Sequence, residues 1–487
     1  MSNYTDLHYH YMAGEWRDGR SSHSIVTSNP FTGEDIATFK AASLDDINES
    51  YKALEQAQQG WCQTNPYAVS QIVEQAAKVI SNHRDELVDL LVRESGSTVM
   101  KANIEIDACI GVIKVAAEYP FLLETTVARS AIPNKLNHII RKPVGVVTVI
   151  GPFNFPMFLA MRSVVTALAS GNTVLLKPAS TTPITGGILL AKIFEEAGLP
   201  AGVLTVVVPK TSEIGDALYT HPIPRVISFT GSTEVGQRIG EMTGREIKRS
   251  ILELGGNNAF VVLDDADIDY AARSAVFGRF LHSGQICMSV NRVIVHESIF
   301  DAFAEKFVEY TKGLNVGDPS RPDVLVGPLI DEREAVRVEQ AVQKAVQEGA
   351  EILLEGKRDG ALVYPYVLKG SNDVYSARTE MFGPVVTLIS HKGDADALRL
   401  ANDTDAGLSG AVHSADISRA QRFAAGWRTG MVHINDQSVN DEPRVAFGGE
   451  KASGVAASVV TLPSMSSRLI NGYRYKLNSV HILFSNF

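Results

Sequence analysis

The chain carries three cysteines, Cys62, Cys109 and Cys287. They are too few for a disulfide framework, so the default is a reducing compartment with thiols free to react. A lone cysteine is more often a small buried hydrophobe than a nucleophile, and Cys62 and Cys109, set in helical patterns, take that reading. Cys287 lies in the small-residue loop Ser283-Gly284-Gln285-Ile286-Cys287-Met288, directly after a helical pattern, and its company is different. Three junctions elsewhere put a polar side chain straight after an apolar, strand-like run. They are Pro152-Phe153-Asn154-Phe155-Pro156, Lys177-Pro178-Ala179-Ser180 and Leu252-Glu253-Leu254-Gly255-Gly256-Asn257. A fourth junction, Phe229-Thr230-Gly231-Ser232-Thr233-Glu234-Val235-Gly236, turns from strand to helix. There Gly231 permits close backbone approach, and free N–H groups at Ser232 and Thr233 suit a pyrophosphate. Neither G-x-G-x-x-G nor G-x-x-x-x-G-K occurs in the chain, so the usual phosphate loops are excluded.

The elements that must carry these groups are legible in the middle of the chain. Val144 to Ile150 is a continuous apolar run ended by Gly151-Pro152, as a buried parallel strand would be. Met157–Ser170 reads as a helix, Thr173–Leu176 as a strand and Thr181–Ala197 as a helix. Val203–Val208 reads as a strand, Ser212–Tyr219 as a short helix, Val226–Phe229 as a strand and Ser232–Met242 as a helix. This alternation is the signature of a doubly wound parallel sheet, in which ligands bind at the carboxyl ends of the strands. A second series begins near Ile251, with a strand at Ala259–Leu263 and helices at Ile268–Leu281, Ile299–Gly313 and Glu332–Gly349. The first 120 residues read as helix-rich, with Asp45–Trp61 and Val69–Ser95 the clearest helices.

Taken together, the PFNFP, KPAS, FTGSTEVG, LELGGN, GQIC and EMFGP segments, in this order and spacing, resemble the aldehyde dehydrogenase superfamily from about residue 11 to Gly454. The spelling Asn435-Asp436-Gln437-Ser438-Val439-Asn440-Asp441-Glu442-Pro443 is most similar to the benzaldehyde, vanillin and salicylaldehyde dehydrogenase branch. The resemblance implies an α/β fold of three parts. A Rossmann-like dinucleotide-binding domain takes 1–121 and 144–252, an α/β catalytic domain 253–453, and a small β oligomerisation arm 122–143 with 454–487. It implies that Cys287 is a nucleophile forming a thiohemiacetal and then a thioester. The Asn154 amide and the Cys287 N–H would face the oxyanion. Glu253 would be the base that activates water, its pKa raised toward neutrality by burial.

For the cofactor, the resemblance implies Lys177 at the adenosine ribose and Glu380 at the nicotinamide ribose. Phe382 packs nearby, Gly231 and Ser232 line the pyrophosphate, and Pro152, Phe153 and Leu254 belong to the same site. Members that select NAD often carry Glu three residues after the lysine; here Ser180 is small and neutral, and Lys177 and Lys210 are cations for a 2′-phosphate. NADP is therefore expected to be accepted, alone or beside NAD. The aldehyde pocket falls to Phe158, Leu159 and Arg162 with Ile286, Met288 and Phe447. That set suits an aromatic ring bearing a hydroxyl. Arg162, with Arg444 as a second cation, equally suits the carboxylate of a succinic-semialdehyde-type substrate; alternatively Arg162 salt-bridges a surface acid. Acyl transfer to coenzyme A is disfavoured by Glu253, and a non-catalytic protein on this fold by the retained Cys287, Asn154 and Glu253. No metal is called for.

Composition agrees. Of 487 residues 45% are hydrophobic and 21% charged, with a net charge of −10, an ordinary globular balance with no long run of one sign. It argues against nucleic acid and against an anionic membrane surface as partners. The cysteine usage points to the cytoplasm, and the resemblance implies a homodimer or homotetramer acting on a small aldehyde. The family pattern ends abruptly after Gly454. With synonymous codons chosen for Ala456 to Arg468, reading one base earlier yields Gly-Arg-Phe-Gly-Gly-Asp-Phe-Thr-Ile-Asp-Glu-Phe-Thr, the family's usual ending. A one-base deletion near codon 455, in the gene or in its determination, is therefore expected, and the coding DNA decides it.

Overall fold

The computed structural model describes residues 4–123 and 125–455. The tail from Ala456, on which the expected one-base shift falls, lies outside the described residues. Two sheets organise the chain. In the first, Leu204–Val206, Thr173–Lys177, Val146–Ile150, Val226–Thr230 and Arg249–Glu253 lie side by side and parallel. The antiparallel pair His10–Met12 and Glu15–Arg17 extends one edge, and the short antiparallel strand Gly454–Val455 extends the other. Every residue of Val146–Ile150 is buried, which explains its unbroken apolar run. Each such valine or isoleucine contributes roughly 1.5–3 kcal/mol on leaving water.

From Val146–Ile150 the chain winds outward through two strands, then returns to lay Val226–Thr230 on the other side. The reversal makes a crevice between these two strands, where open α/β sheets take ligands. Register brings the singled-out groups level there. Ile150 pairs with Lys177, Phe229 with Ile150, and Thr230 with Glu253. The second sheet has seven strands, all parallel except the edge strand Glu351–Leu354.

The helix Pro156–Ala169 follows the first strand with proline at its first position, where the missing N–H costs nothing. It is buried almost all round, as an apolar helix must be. Its first amides find an acceptor in another helix. Met157 N–H and Phe158 N–H donate to Glu105 Oε1 at 2.8 and 3.0 Å. Glu105 Oε2 takes Lys101 Nζ at 2.5 Å, and Lys101 also donates to Ser97 Oγ at 2.9 Å. Both charged side chains are fully buried. This clamp fixes the start of the helix, and with it the loop that carries Asn154.

Several sequence-based expectations need correction. The Val69–Ser95 helix is two, Pro66–Asn82 and Arg84–Ser95, broken at His83. The Thr181–Ala197 helix opens with a π-turn at Ile184–Ile188 before Leu189–Glu196, and the buried Glu94 carboxylate takes the Ile184 and Thr185 N–H groups. The N-terminal part also holds strands, Ser24–Ser28 and Asp35–Lys40 among them. Cys109 is buried, whereas Cys62 is exposed at the end of the Leu44–Trp61 helix. Residues 125–140 form an antiparallel hairpin, Thr125–Arg129 against Leu136–Ile140. Among the described residues, no helix is long and apolar enough to cross a membrane.

Candidate active site

Cys287 stands where two cavities meet. One, of about 420 Å³, is lined by Pro152, Phe153, Asn154, Leu159, Gly231, Ser232, Leu254, Glu380 and Phe382 along with Cys287. The other, of about 150 Å³, is lined by Phe158, Ile286, Met288 and Phe447 and shares Asn154, Leu159 and Cys287 with the first.

The cysteine loop is held by strain and by buried donors. After the helix Ile268–Phe280, His282 and Ser283 adopt φ of 51° and 55° and Gly284 of 74°, a left-handed run that L-residues resist by roughly 1–2 kcal/mol each. A Cβ on Gly284 would meet Gly383 O at 2.6 Å, and one on Gly256 would meet Cys287 O at 2.3 Å. Both glycines are therefore required by close packing of the Cys287 loop on its neighbours. Asn258 Nδ2 donates to Cys287 O at 2.7 Å. The fully buried Arg279 donates to Val290 O at 3.0 Å and also to Gly383 O, tying the Cys287 loop to the Glu380–Phe382 loop. Phe382 itself sits at φ 43° and meets Phe153 edge-on with centroids 5.8 Å apart. Strain of this kind collects where geometry is set for chemistry.

Asn154 lies just before the helix Pro156–Ala169, whereas Phe158 and Arg162, four apart, share one face of it. Its Nδ2 donates to Gln285 O at 2.8 Å, and an amide nitrogen carries two hydrogens, so a second N–H remains. Glu253 is buried at the end of its strand. Burial, with Glu380, Glu253 and Asp441 adding to it and Arg162 opposing, pushes the Cys287 thiol up to about 12. Burial also raises Glu380 to about 7, against the Gly256 N–H at 3.1 Å and the nearby Arg279 and Arg337.

The residues fit a dinucleotide. A Cβ on Gly255 would meet Glu380 Oε2 at 2.3 Å, so glycine keeps that carboxylate accessible to the cavity. Ser232 precedes the helix Thr233–Arg245 but makes no side-chain cap bond. The first-turn amides are thus left for an anion.

A model of the aldehyde dehydrogenase family matches residues 16–462. The chain belongs to the aldehyde dehydrogenase family. This aldehyde dehydrogenase is 46% identical to a benzaldehyde dehydrogenase of Bacillus subtilis, over 93% of this chain and 94% of that protein. It is 47% identical to a vanillin dehydrogenase of Corynebacterium glutamicum, over 92% and 94%. Among solved structures, an NAD-dependent benzaldehyde dehydrogenase from Corynebacterium glutamicum superposes with a TM-score of 0.86 at 46% identity, covering 89% of this chain and 93% of that one.

Other expected residues of the dehydrogenase fall elsewhere. Lys177 ends its strand half-buried, held down to about 8 by burial, and Ser180 and Lys210 are exposed beyond the strand ends. None of these three lines either cavity. Arg162 stands behind the aromatic wall, its guanidinium 4.3 Å from the Phe447 ring centre and 5.5 Å from that of Phe158. Its Nη1 donates to Asp441 Oδ2 at 2.7 Å, and the acid is itself mostly buried, not at the surface. Arg444 is exposed and pairs with Glu118 at 2.6 Å, away from both cavities. Sequence reasoning missed Glu334 and Arg337, which line the larger of the two cavities. Arg337 Nε donates to Glu334 Oε2 at 2.7 Å and Nη2 to Met381 O at 2.8 Å. Their i, i+3 spacing looks like any surface pair on a helix. Asp441 carries no signal of its own within the Asn435–Pro443 segment.

Proposed function

We propose that the protein oxidises aromatic aldehydes, hydroxylated ones included, to carboxylic acids with NAD or NADP. The observation that carries this reading is the apolar chamber opening onto Cys287 while both candidate cations are neutralised by protein acids, Arg162 by Asp441 and Arg444 by Glu118. A semialdehyde carboxylate would find no unpaired arginine there and would meet the charge of Asp441. Cys287 Sγ bonds to the aldehyde carbon with loss of the thiol proton, and the carbonyl oxygen becomes an oxyanion. The remaining Asn154 N–H and the Cys287 N–H stabilise it. When bound, the nicotinamide ring would supply the acceptor for the hydride that leaves this carbon as the oxyanion collapses to C=O, which leaves a thioester on Cys287. Glu253 then takes a proton from water, which attacks the thioester, breaks the S–C bond and releases acid and thiol.

The test is NAD(P)H formation with benzaldehyde, vanillin, salicylaldehyde and succinic semialdehyde side by side. The aromatic aldehydes are expected to exceed succinic semialdehyde by about 10²-fold or more in kcat/KM; the reverse order overturns the reading. With Ser180 in place of an acid, kcat/KM for NAD and NADP should lie within about 100-fold, or about 2.7 kcal/mol. A larger preference for NAD removes the NADP assignment.

The division into a cofactor domain at 1–121 and 144–252, a catalytic domain at 253–453 and an arm at 122–143 with 454–487 belongs to the same proposal. The arm fits an interface with a second copy. A lone two-stranded hairpin is marginal in water, and this one exposes Val127, Ile132, Leu136, Ile139 and Ile140. Light scattering on a gel-filtered sample should give a dimer or tetramer, and replacing 124–142 by a glycine–serine linker should give monomer. A monomeric parent protein would remove the assignment.

A further inference from the structure

We infer that Asp441 is the acceptor that selects a ring hydroxyl on the substrate, and that Arg162 serves it as a positioning residue. The inference rests on the aromatic-aldehyde reading above. Apart from Asn154 and Cys287, the only polar side chains lining the aldehyde chamber among the described residues are Asn440 and Asp441. Asp441 is the one charged group among them. Its Oδ2 takes Arg162 Nη1 at 2.7 Å, and among the described residues no donor meets Oδ1.

Arg162 has no freedom to do otherwise. Its side chain is 3% exposed, and it lies against the Phe447 and Phe158 rings that wall the chamber. Burial and the neighbouring Glu442 raise the Asp441 carboxyl above its ordinary range and the guanidinium opposes them; the carboxylate in this salt bridge accepts hydrogen bonds and donates none. An aromatic aldehyde with its carbonyl carbon at Cys287 fills the chamber with its ring, and Asp441 is the charged wall that ring meets. A ring O–H donates to it. A ring ether cannot, and a substrate carboxylate is repelled. Hydrogen bonds to charged groups are the strong class, and a site built around one discriminates sharply against an analogue lacking the partner.

The test compares kcat/KM for 3- and 4-hydroxybenzaldehyde with that for the corresponding methoxybenzaldehydes and for benzaldehyde. The wild type should prefer one hydroxy isomer over its methoxy partner by about tenfold or more. Asp441→Asn should cut that ratio about tenfold. It also leaves a buried guanidinium without its carboxylate, so Arg162→Met/Asp441→Leu, with a neutral wall, serves as the second variant. That double variant should show the same loss of ratio. Arg162→Lys should restore the preference to within about threefold of wild type, while Arg162→Met should not, as expected of a residue that acts through Asp441. Equal turnover of hydroxy and methoxy pairs by the wild type, or a ratio that survives both Asp441 variants, overturns the inference. If no aromatic aldehyde is turned over at all, it is the underlying substrate reading that falls.

Discussion

Replacing Cys287 by alanine is expected to lower kcat/KM by on the order of 10⁴–10⁶-fold, the scale seen when a covalent nucleophile is removed. Cys287 lines both cavities, and neither other cysteine lines either of them: Cys62 is exposed at the end of the first helix and Cys109 is buried in another. Binding of reduced cofactor, followed by fluorescence, should stay within about threefold, because alanine alters only the floor of that cavity. The thiol's environment adds a pH signature. Burial and neighbouring carboxylates push Cys287 up to about 12. Below that value the reactive thiolate grows about tenfold per pH unit. Iodoacetamide labelling of the cofactor-free protein, in a Cys62→Ser background, should therefore climb steadily from pH 7 to pH 9. A plateau below pH 8 contradicts that account, and an active Cys287→Ala protein contradicts the nucleophile assignment.

Glu253→Gln is expected to separate the two halves of the reaction. Glutamine keeps the size of the side chain and leaves the backbone pairing of residue 253 with Thr230 and Gly454 in place, but it cannot take a proton from water. Steady-state kcat should fall about 10²–10⁴-fold, while the first turnover still releases close to one NAD(P)H per site. The protein should then carry an acyl mass on Cys287 by intact mass spectrometry. Loss of the burst together with the steady state would mean that Glu253 acts before hydride leaves, and the base assignment would fail.

The parts of the site that end strands were legible because each is a short, local event. An apolar run stops at Ile150, Lys177, Thr230 or Glu253, and a polar or glycine-rich turn follows. The left-handed residues before Cys287 and the close packing at Gly256 and Gly284 explain why the GQIC and LELGGN segments hold their small residues. What escaped the sequence depends on distant partners. Arg162 and Asp441 are 279 positions apart, and no local pattern tells a salt-bridged arginine from a substrate-binding one. The Glu105 carboxylate that holds the Asn154 helix is likewise an acid in the middle of another helix, with nothing in its neighbours to mark it. The break at His83 escaped for the opposite reason, since two amphipathic helices in sequence share one period and conceal their joint.

The two cavities have in common only Asn154, Leu159 and Cys287, so the sulfur sits in a party wall and not at the end of a corridor. Traffic on one side need not queue for the other: dinucleotide can be exchanged while an acyl group is still bonded to Cys287, and a long or crowded aldehyde does not lock the opposite side shut.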